Sequence, residues 1–180
     1  METTDMNDNP LFQALRELCL FLDKSELRYT LVGGLAVGIW SAPRATVDVD
    51  FLVALSAGET GNLSRLLRES DRFIFIHEAP TIFNKVSLLR ATLKSNPDIA
   101  VDFLFADDEF KKQMVQRSSV ISITGSPVRI PTPEDLIILK LLSGRPQDLL
   151  DVAQIRENQK NELNAGYIEE WCNKLGIPSD

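Results

Sequence analysis

Residues 31–55 read LVGGLAVGIWSAPRATVDVDFLVAL, and this stretch decides the fold. A short β-prone run, Tyr29 to Val32, ends at the glycine pair Gly33-Gly34; the apolar run Leu35 to Trp40 then predicts a short helix, which Pro43 ends. The next apolar run, Val47 to Leu55, is typical of a largely buried strand. The sequence therefore predicts a strand, a glycine turn, a short helix and a second strand.

The remainder of the chain mixes helical and strand patterns and then becomes helical. Further strands are predicted at Phe73 to Ile76, Lys85 to Leu93 and Ile99 to Phe105, the last two joined by a turn at Ser95 to Asp98, with a hairpin around Gly125-Ser126-Pro127. Helices are predicted to begin at Asn9-Pro10 and to cover Thr60 to Arg68, Glu109 to Gln116, Pro133 to Leu142, a stretch from Gln147, and Asn164 to Leu175. This order predicts an α+β fold, with residues 1–130 as the core and residues 131–180 as a C-terminal helical segment packed on it in one structural unit.

Length and charge narrow the classes of function. The chain has 180 residues and a formal net charge of −7, which suits one domain and argues against an extended DNA or RNA footprint, although a local basic pocket for a nucleotide remains compatible. Cys19 and Cys172 are expected to be small buried side chains rather than a disulfide or metal pair. The first residues do not resemble a signal peptide and no apolar run is long enough to span a membrane, so we expect a cytoplasmic protein.

Three aspartates are the candidate catalytic residues. Asp48 and Asp50 are two positions apart on a predicted strand, so both side chains point to one face. Asp102 is the only charged residue in the apolar run from Ile99 to Phe105. Carboxylates that converge in this way repel each other, and a hard divalent cation such as Mg²⁺ relieves the repulsion. If the two strands are neighbours, all three aspartates can ligate metal and activate a hydroxyl.

The glycine pair supplies a candidate phosphate site. Thirteen residues separate Gly34 from Asp48, and the pair lies where a strand passes into a helix. Without side chains, Gly33 and Gly34 let backbone N–H groups approach phosphate oxygens at a helix N-terminus. Each feature taken alone has a plainer explanation: a solvent-facing Asp-x-Asp, an ordinary turn, or a buried aspartate that accepts backbone hydrogen bonds. Their conjunction favours nucleotide chemistry.

These motifs resemble those of the nucleotidyltransferase superfamily related to DNA polymerase β. Its members carry Gly-Gly or Gly-Ser, then Asp-x-Asp, then a third acidic residue on a later strand. The residues 32–37 and 44–50 look especially like those of the AbiEii/AbiGii-type toxins of abortive-infection and type IV toxin–antitoxin systems. The C-terminal residues that resemble this family are Pro133-Glu134-Asp135-Leu136, Lys140, Arg145, Asp148 and Asp151.

The resemblance implies a nucleotidyltransferase-fold mixed β-sheet with flanking helices, and a nucleoside triphosphate such as ATP as substrate. It assigns the metal and catalysis to Asp48, Asp50 and Asp102, and nucleotide binding to Gly33, Gly34, Arg44, Lys140 and Arg145, with Mg²⁺ as cofactor. For three of these residues the sequence leaves alternatives. Lys140 can instead extend to the surface, Arg145 can pair with Asp148 or Asp151, and Arg44 can pair with a surface acid.

The resemblance also implies the partners. The acceptor is left open between the ends of transfer RNA or another RNA, a protein hydroxyl and a small molecule such as an aminoglycoside. A cognate antitoxin protein is expected from the family, and neither DNA nor a membrane is expected as a partner. The main alternative is a catalytically silent member that uses the fold as a binding or regulatory module. A generic α+β partner-binding domain with chance acidic residues is the third hypothesis.

Overall fold

The computed structural model describes residues 8–43, 45–55, 57–77, 79–83 and 86–179. In this part of the chain the helices are α1 (Pro10–Lys24), α2 (Gly33–Trp40), α3 (Thr60–Glu69), α4 (Glu109–Arg117), α5 (Pro133–Ser143), α6 (Pro146–Gln159) and α7 (Ala165–Leu175). The strands are β1 (Tyr29–Val32), β2 (Asp48–Val53), β3 (Phe73–Phe75), β4 (Thr81–Phe83), β5 (Val86–Leu93), β6 (Asn96–Phe105), β7 (Ser119–Ile123) and β8 (Ser126–Ile130). The α+β prediction is confirmed.

Six strands form one mixed sheet. Its order is β1-β2-β6-β5-β3, and β4 pairs with the other half of β5. Among the strands that the structure describes, only β2 and β6 are parallel, and the remaining neighbours in this sheet are antiparallel. Strands β7 and β8 form a separate hairpin that packs beside β1. The parallel pair joins the two strands that carry the candidate aspartates.

The two faces of the sheet differ in chemistry because successive side chains alternate between them. On one face, Phe51 stacks on Phe103 with ring centroids 6.3 Å apart, and Phe73 meets Phe103 edge-on at 6.0 Å. Phe21 of α1 covers this row, at 5.2 Å from Phe73. Burial of these rings anchors α1 to the sheet. The strand positions between them turn to the opposite face, where the carboxylates lie.

Local sequence signals account for the helix ends. Asn9 accepts a hydrogen bond from the Leu11 amide at 2.9 Å, and Thr132 accepts one from the Asp135 amide at 3.2 Å, so each caps its helix. Gly144 takes the left-handed conformation that ends α5. Helices α5, α6 and α7 pack together, and they contact the rest of the fold through α2 and through α4, where Phe110 lies against Trp171. Within the described residues, no helix has the length and apolar character needed to cross a membrane.

Two details differ from the sequence prediction. Strand β4 was missed because its three residues are too few for an alternating pattern. The turn between β5 and β6 lies at Lys94 and Ser95, so β6 begins at Asn96 and includes Pro97. Proline is tolerated there because pairing with β2 begins only at Ala100, so this part of β6 is free on that side. The boundary at residue 130 between core and helical segment stays a prediction.

Candidate active site

Three aspartates share one face of the sheet. Asp50 of β2 is the register partner of Asp102 of β6, and Asp48 pairs with Ala100 two positions away. Register partners in neighbouring strands point to the same side, so the parallel pairing brings together side chains that are 52 residues apart in sequence. Asp102 is only 4% exposed, whereas Asp48 and Asp50 are half-buried. The predicted convergence of strands therefore exists.

Gly33 lies directly against the Asp50 carboxyl. Strand β1 ends with Val32 opposite Asp50, and the chain then turns into α2 with Gly33 at φ +66°. A Cβ placed on Gly33 would lie 1.8 Å from Asp50 Oδ2, so no other residue fits without displacing the carboxyl. Gly34 follows as a buried residue in the first turn of α2. The helix N-terminus, where backbone N–H groups favour an anion, is thus placed beside the carboxylates.

Asp50 lies in surroundings that disfavour the negative charge of its carboxylate. Burial, followed by the negative charges of Asp48 and Asp102, raises the pKa of Asp50 to about 7. The positive charges of Lys140 and Arg90 offset part of that rise. Thr46 donates a hydrogen bond to Asp48 Oδ1 at 2.6 Å and so fixes the orientation of this carboxylate at the start of β2. A bound cation would favour the ionised form of Asp50.

Asp102 has a partner that the sequence analysis missed. Arg90 of β5 is its register partner, and the guanidinium forms a two-bond fork, Nε to Oδ1 at 2.6 Å and Nη2 to Oδ2 at 2.5 Å. The signal was available in the sequence, because Arg90 is the only charge between Val86 and Leu93, and Asp102 is the only charge between Ile99 and Phe105. A rule that places two strands side by side when each has a single charged residue, one positive and one negative, would have matched Arg90 with Asp102.

The donor set fits a hard divalent cation at Asp48 and Asp50. Both are carboxylates on one strand face, which is the ligand type that Mg²⁺ prefers, with remaining positions left to water and phosphate. In residues 8–179 as far as they are described, no three His, Cys, Asp or Glu side chains converge closely enough to hold one ion. Both oxygens of Asp102 contact Arg90 instead. Metal binding by these aspartates stays a prediction.

Lys140 lies in a buried cluster of ion pairs between α5 and α6. Its Nζ donates to Asp148 Oδ1 at 2.7 Å and to Asp151 Oδ2 at 2.8 Å, and it is only 5% exposed, so it does not extend to the surface. Arg145 donates to Asp148 Oδ2 at 2.5 Å, which is the ion pair that the sequence left open. Burial would raise the pKa of Asp148, but the hydrogen bonds from Arg145 and Lys140 prevail and lower it to about 2.

The remaining predicted nucleotide contacts are placed less directly. Arg44 lies outside the described residues. Lys140 is near enough for its charge to act on Asp50, yet its ammonium is held by two aspartates. The structure thus brings Gly33 and the three aspartates together, and the positive charge of Lys140 acts on Asp50. The guanidinium of Arg145 pairs with Asp148 instead. The nucleotide-binding roles of these residues stay predictions.

A separate cavity of about 400 Å³ lies at the far end of β1. Tyr29, which lines it, pairs with Val53, whereas Val32 at the other end of β1 pairs with Asp50. The Tyr29 hydroxyl is buried and has no hydrogen-bond partner among the described residues. This cavity is therefore distinct from the carboxylate face.

Solved structures share this fold at low sequence identity. An antigenic nucleotidyltransferase-like protein from Paracoccidioides brasiliensis matches with a TM-score of 0.55 and 21% identity over 79% of this chain and 73% of that one. The antibiotic-resistance factor ANT(2″)-Ia matches with a TM-score of 0.57 and 14% identity over 87% and 86% of the two chains. The lincosamide antibiotic adenylyltransferase LnuA matches with a TM-score of 0.54 and 13% identity over 83% of this chain and 98% of that one. These likenesses show the nucleotidyltransferase fold.

A sequence comparison with curated proteins gave no significant match. The family model described as nucleotidyl transferase AbiEii toxin, type IV toxin–antitoxin system, matches residues 13–175, which is nearly the whole chain and includes every residue of the carboxylate face discussed above. Together with the Gly33 turn and the Asp-x-Asp strand, this match confirms that the protein is a nucleotidyltransferase and belongs to the AbiEii family of type IV toxin–antitoxin systems.

Proposed function

We propose that this chain transfers a nucleoside monophosphate from a nucleoside triphosphate to an acceptor hydroxyl, with Mg²⁺ held by Asp48 and Asp50. The observation that carries the proposal is that Asp48 and Asp50 share one strand face, with Asp50 against the Gly33 backbone and in register with Asp102. When bound there, Mg²⁺ would neutralise charge on the phosphate oxygens and so favour attack at the α-phosphorus. ATP is the first triphosphate to test.

The chain's own groups have separate tasks in this reaction. The N-terminus of α2 at Gly33 and Gly34 binds the phosphate tail through backbone N–H groups. The acceptor oxygen forms a bond to the α-phosphorus, the bond from that phosphorus to the bridging oxygen breaks, and pyrophosphate leaves. Asp102, oriented by Arg90, accepts the proton of the acceptor hydroxyl. Catalysis is then mostly positioning and electrostatics.

The acceptor class is tested by following label from α-³²P-labelled triphosphates. Wild type is incubated with each triphosphate, Mg²⁺, and separately with total cell RNA, cell protein or an aminoglycoside. Asp48→Asn and Asp50→Asn are expected to lower labelling by about 100-fold or more. Asp98→Asn is the matched control, because Asp98 is an exposed aspartate of the same strand as Asp102. Equal labelling by wild type and Asp48→Asn would reject the proposed site.

We infer a toxin role from the family, with a cognate antitoxin as the partner that relieves it. Induced expression of wild type in a bacterial host is expected to arrest growth, and Asp48→Asn is expected not to. If expression of wild type does not impair growth while the protein is an active transferase in vitro, the transferase proposal stands and the toxin role is rejected. No Mg²⁺-dependent labelling of any acceptor, with no thermal shift by triphosphate and Mg²⁺, would favour the silent binding module.

A further inference from the structure

Arg90 belongs to the same row of side chains as the aspartates. Asp50, Asp102 and Arg90 are successive register partners on β2, β6 and β5, so the guanidinium lies one strand beyond Asp102 on the carboxylate face. The fork of Arg90 engages both oxygens of Asp102, whose side chain is 6% exposed, whereas that of Arg90 is 39% exposed. A bidentate pair of this kind has a fixed orientation and is stronger than a single contact.

The charges of the row match one divalent cation. Asp48, Asp50 and Asp102 are three carboxylates, and Arg90 compensates one of them. The second cluster, in which Lys140 and Arg145 face Asp148 and Asp151, has as many cations as carboxylates and is balanced by itself. Within the described residues, Asp48 and Asp50 are therefore the two carboxylates of the row that have no ion pair.

We propose that Arg90 takes the place of a second metal ion: its guanidinium occupies Asp102, so that the site binds a single divalent cation at Asp48 and Asp50. This inference rests on the proposed function. A second ion at Asp102 would have to displace the two hydrogen bonds of the fork and then lie beside a free guanidinium. Arg90 is thus a positioning residue that acts through Asp102.

Removal of the Arg90 guanidinium is expected to let a second divalent cation bind at Asp102. In Arg90→Gln, the Asp102 carboxylate stays buried but loses its cationic partner. A buried carboxylate without a partner is costly, and a hard cation is the ligand that would compensate it. The variant is therefore expected to gain a second ion, and the double variant Arg90→Gln/Asp102→Asn is expected to bind one again.

The number of bound ions is measured by titrating the full chain with Mn²⁺ alone and following the free Mn²⁺ signal by electron paramagnetic resonance. The expected result is one ion per chain for wild type and for the control Asp98→Asn, two for Arg90→Gln, and loss of binding for Asp50→Asn. Circular dichroism checks that each variant is folded. If Arg90→Gln does not fold, the wild-type number still decides.

The outcomes separate this inference from the proposed function. Two ions bound to wild type, or one ion bound to a folded Arg90→Gln, would overturn the role of Arg90 and leave the proposed transferase intact. If wild type binds no ion, the proposed metal site at Asp48 and Asp50 is rejected, and both proposals are rejected with it.

Discussion

Gly33→Ala is expected to impair activity far more than stability, because the new methyl group meets the Asp50 carboxyl. The Cβ would lie 1.8 Å from Asp50 Oδ2, and contacts below 3.0 Å essentially do not occur, so the oxygen must retreat by about 1.2 Å. A misplacement of about 1 Å in a reacting group lowers the rate by about 100-fold. The left-handed backbone at φ +66° adds about 1–2 kcal/mol of strain for any residue with a side chain.

The matched control is Gly176→Ala. Gly176 has the same φ of +66°, and a Cβ there would meet nothing within 4 Å. This variant therefore carries the backbone strain alone and is expected to lower the melting temperature by about 2–8 °C with unchanged activity. Both variants are compared by thermal unfolding and by single-turnover labelling. An active Gly33→Ala, or equal activity losses in the two variants, would refute the close contact between Gly33 and Asp50.

Three further predictions concern buried charge. Lys140→Met leaves Asp148 and Asp151 buried without their common partner and is expected to lower the free energy of unfolding by about 3–5 kcal/mol in urea titrations; a loss below about 1 kcal/mol would contradict the buried cluster. The pKa of Asp148 is lowered to about 2, so its ionised form stabilises the fold by about 2 kcal/mol; this contribution is complete above pH 4 and is lost as the pH falls through 2. The free energy of unfolding of wild type should therefore exceed that of Asp148→Asn by an amount that shrinks between pH 4 and pH 2 and not at neutral pH. Without divalent cations, Asp50→Asn is expected to be more stable than wild type by about 2–4 kcal/mol at pH 8, because the raised pKa of Asp50 means that stability is lost as pH rises through 7; the difference should vanish below pH 4.

Much of the local structure was predictable because it depends on neighbouring residues. The strand Tyr29–Val32, the turn at Gly33 and the helix after it follow from apolar spacing and a glycine break. The caps Asn9 and Thr132 follow from side chains that accept backbone N–H groups one turn away. The shared face of Asp48 and Asp50 follows from the two-residue period of a strand.

The partners of the charged side chains were not predictable in the same way. For Lys140 the sequence left the choice between a phosphate contact and the surface, and only the packing of α5 on α6 shows that its ammonium lies between two aspartates. The Arg90 fork depends on the register of β5 against β6, and a shift of one residue would turn Arg90 to the aromatic face. Such contacts join distant segments, so each segment can show a lone charge but not which partner it meets.

The sequence by itself determined most of the helices and strands, the face on which each aspartate lies within its strand, and the family. The tertiary structure alone decided that β2 and β6 lie side by side in parallel, that Asp50 and Asp102 are partners, and that Arg90 completes their row. The physical reason is that side-chain direction is set by backbone geometry over a few residues, whereas strand register is set by the packing of the whole sheet on its helices.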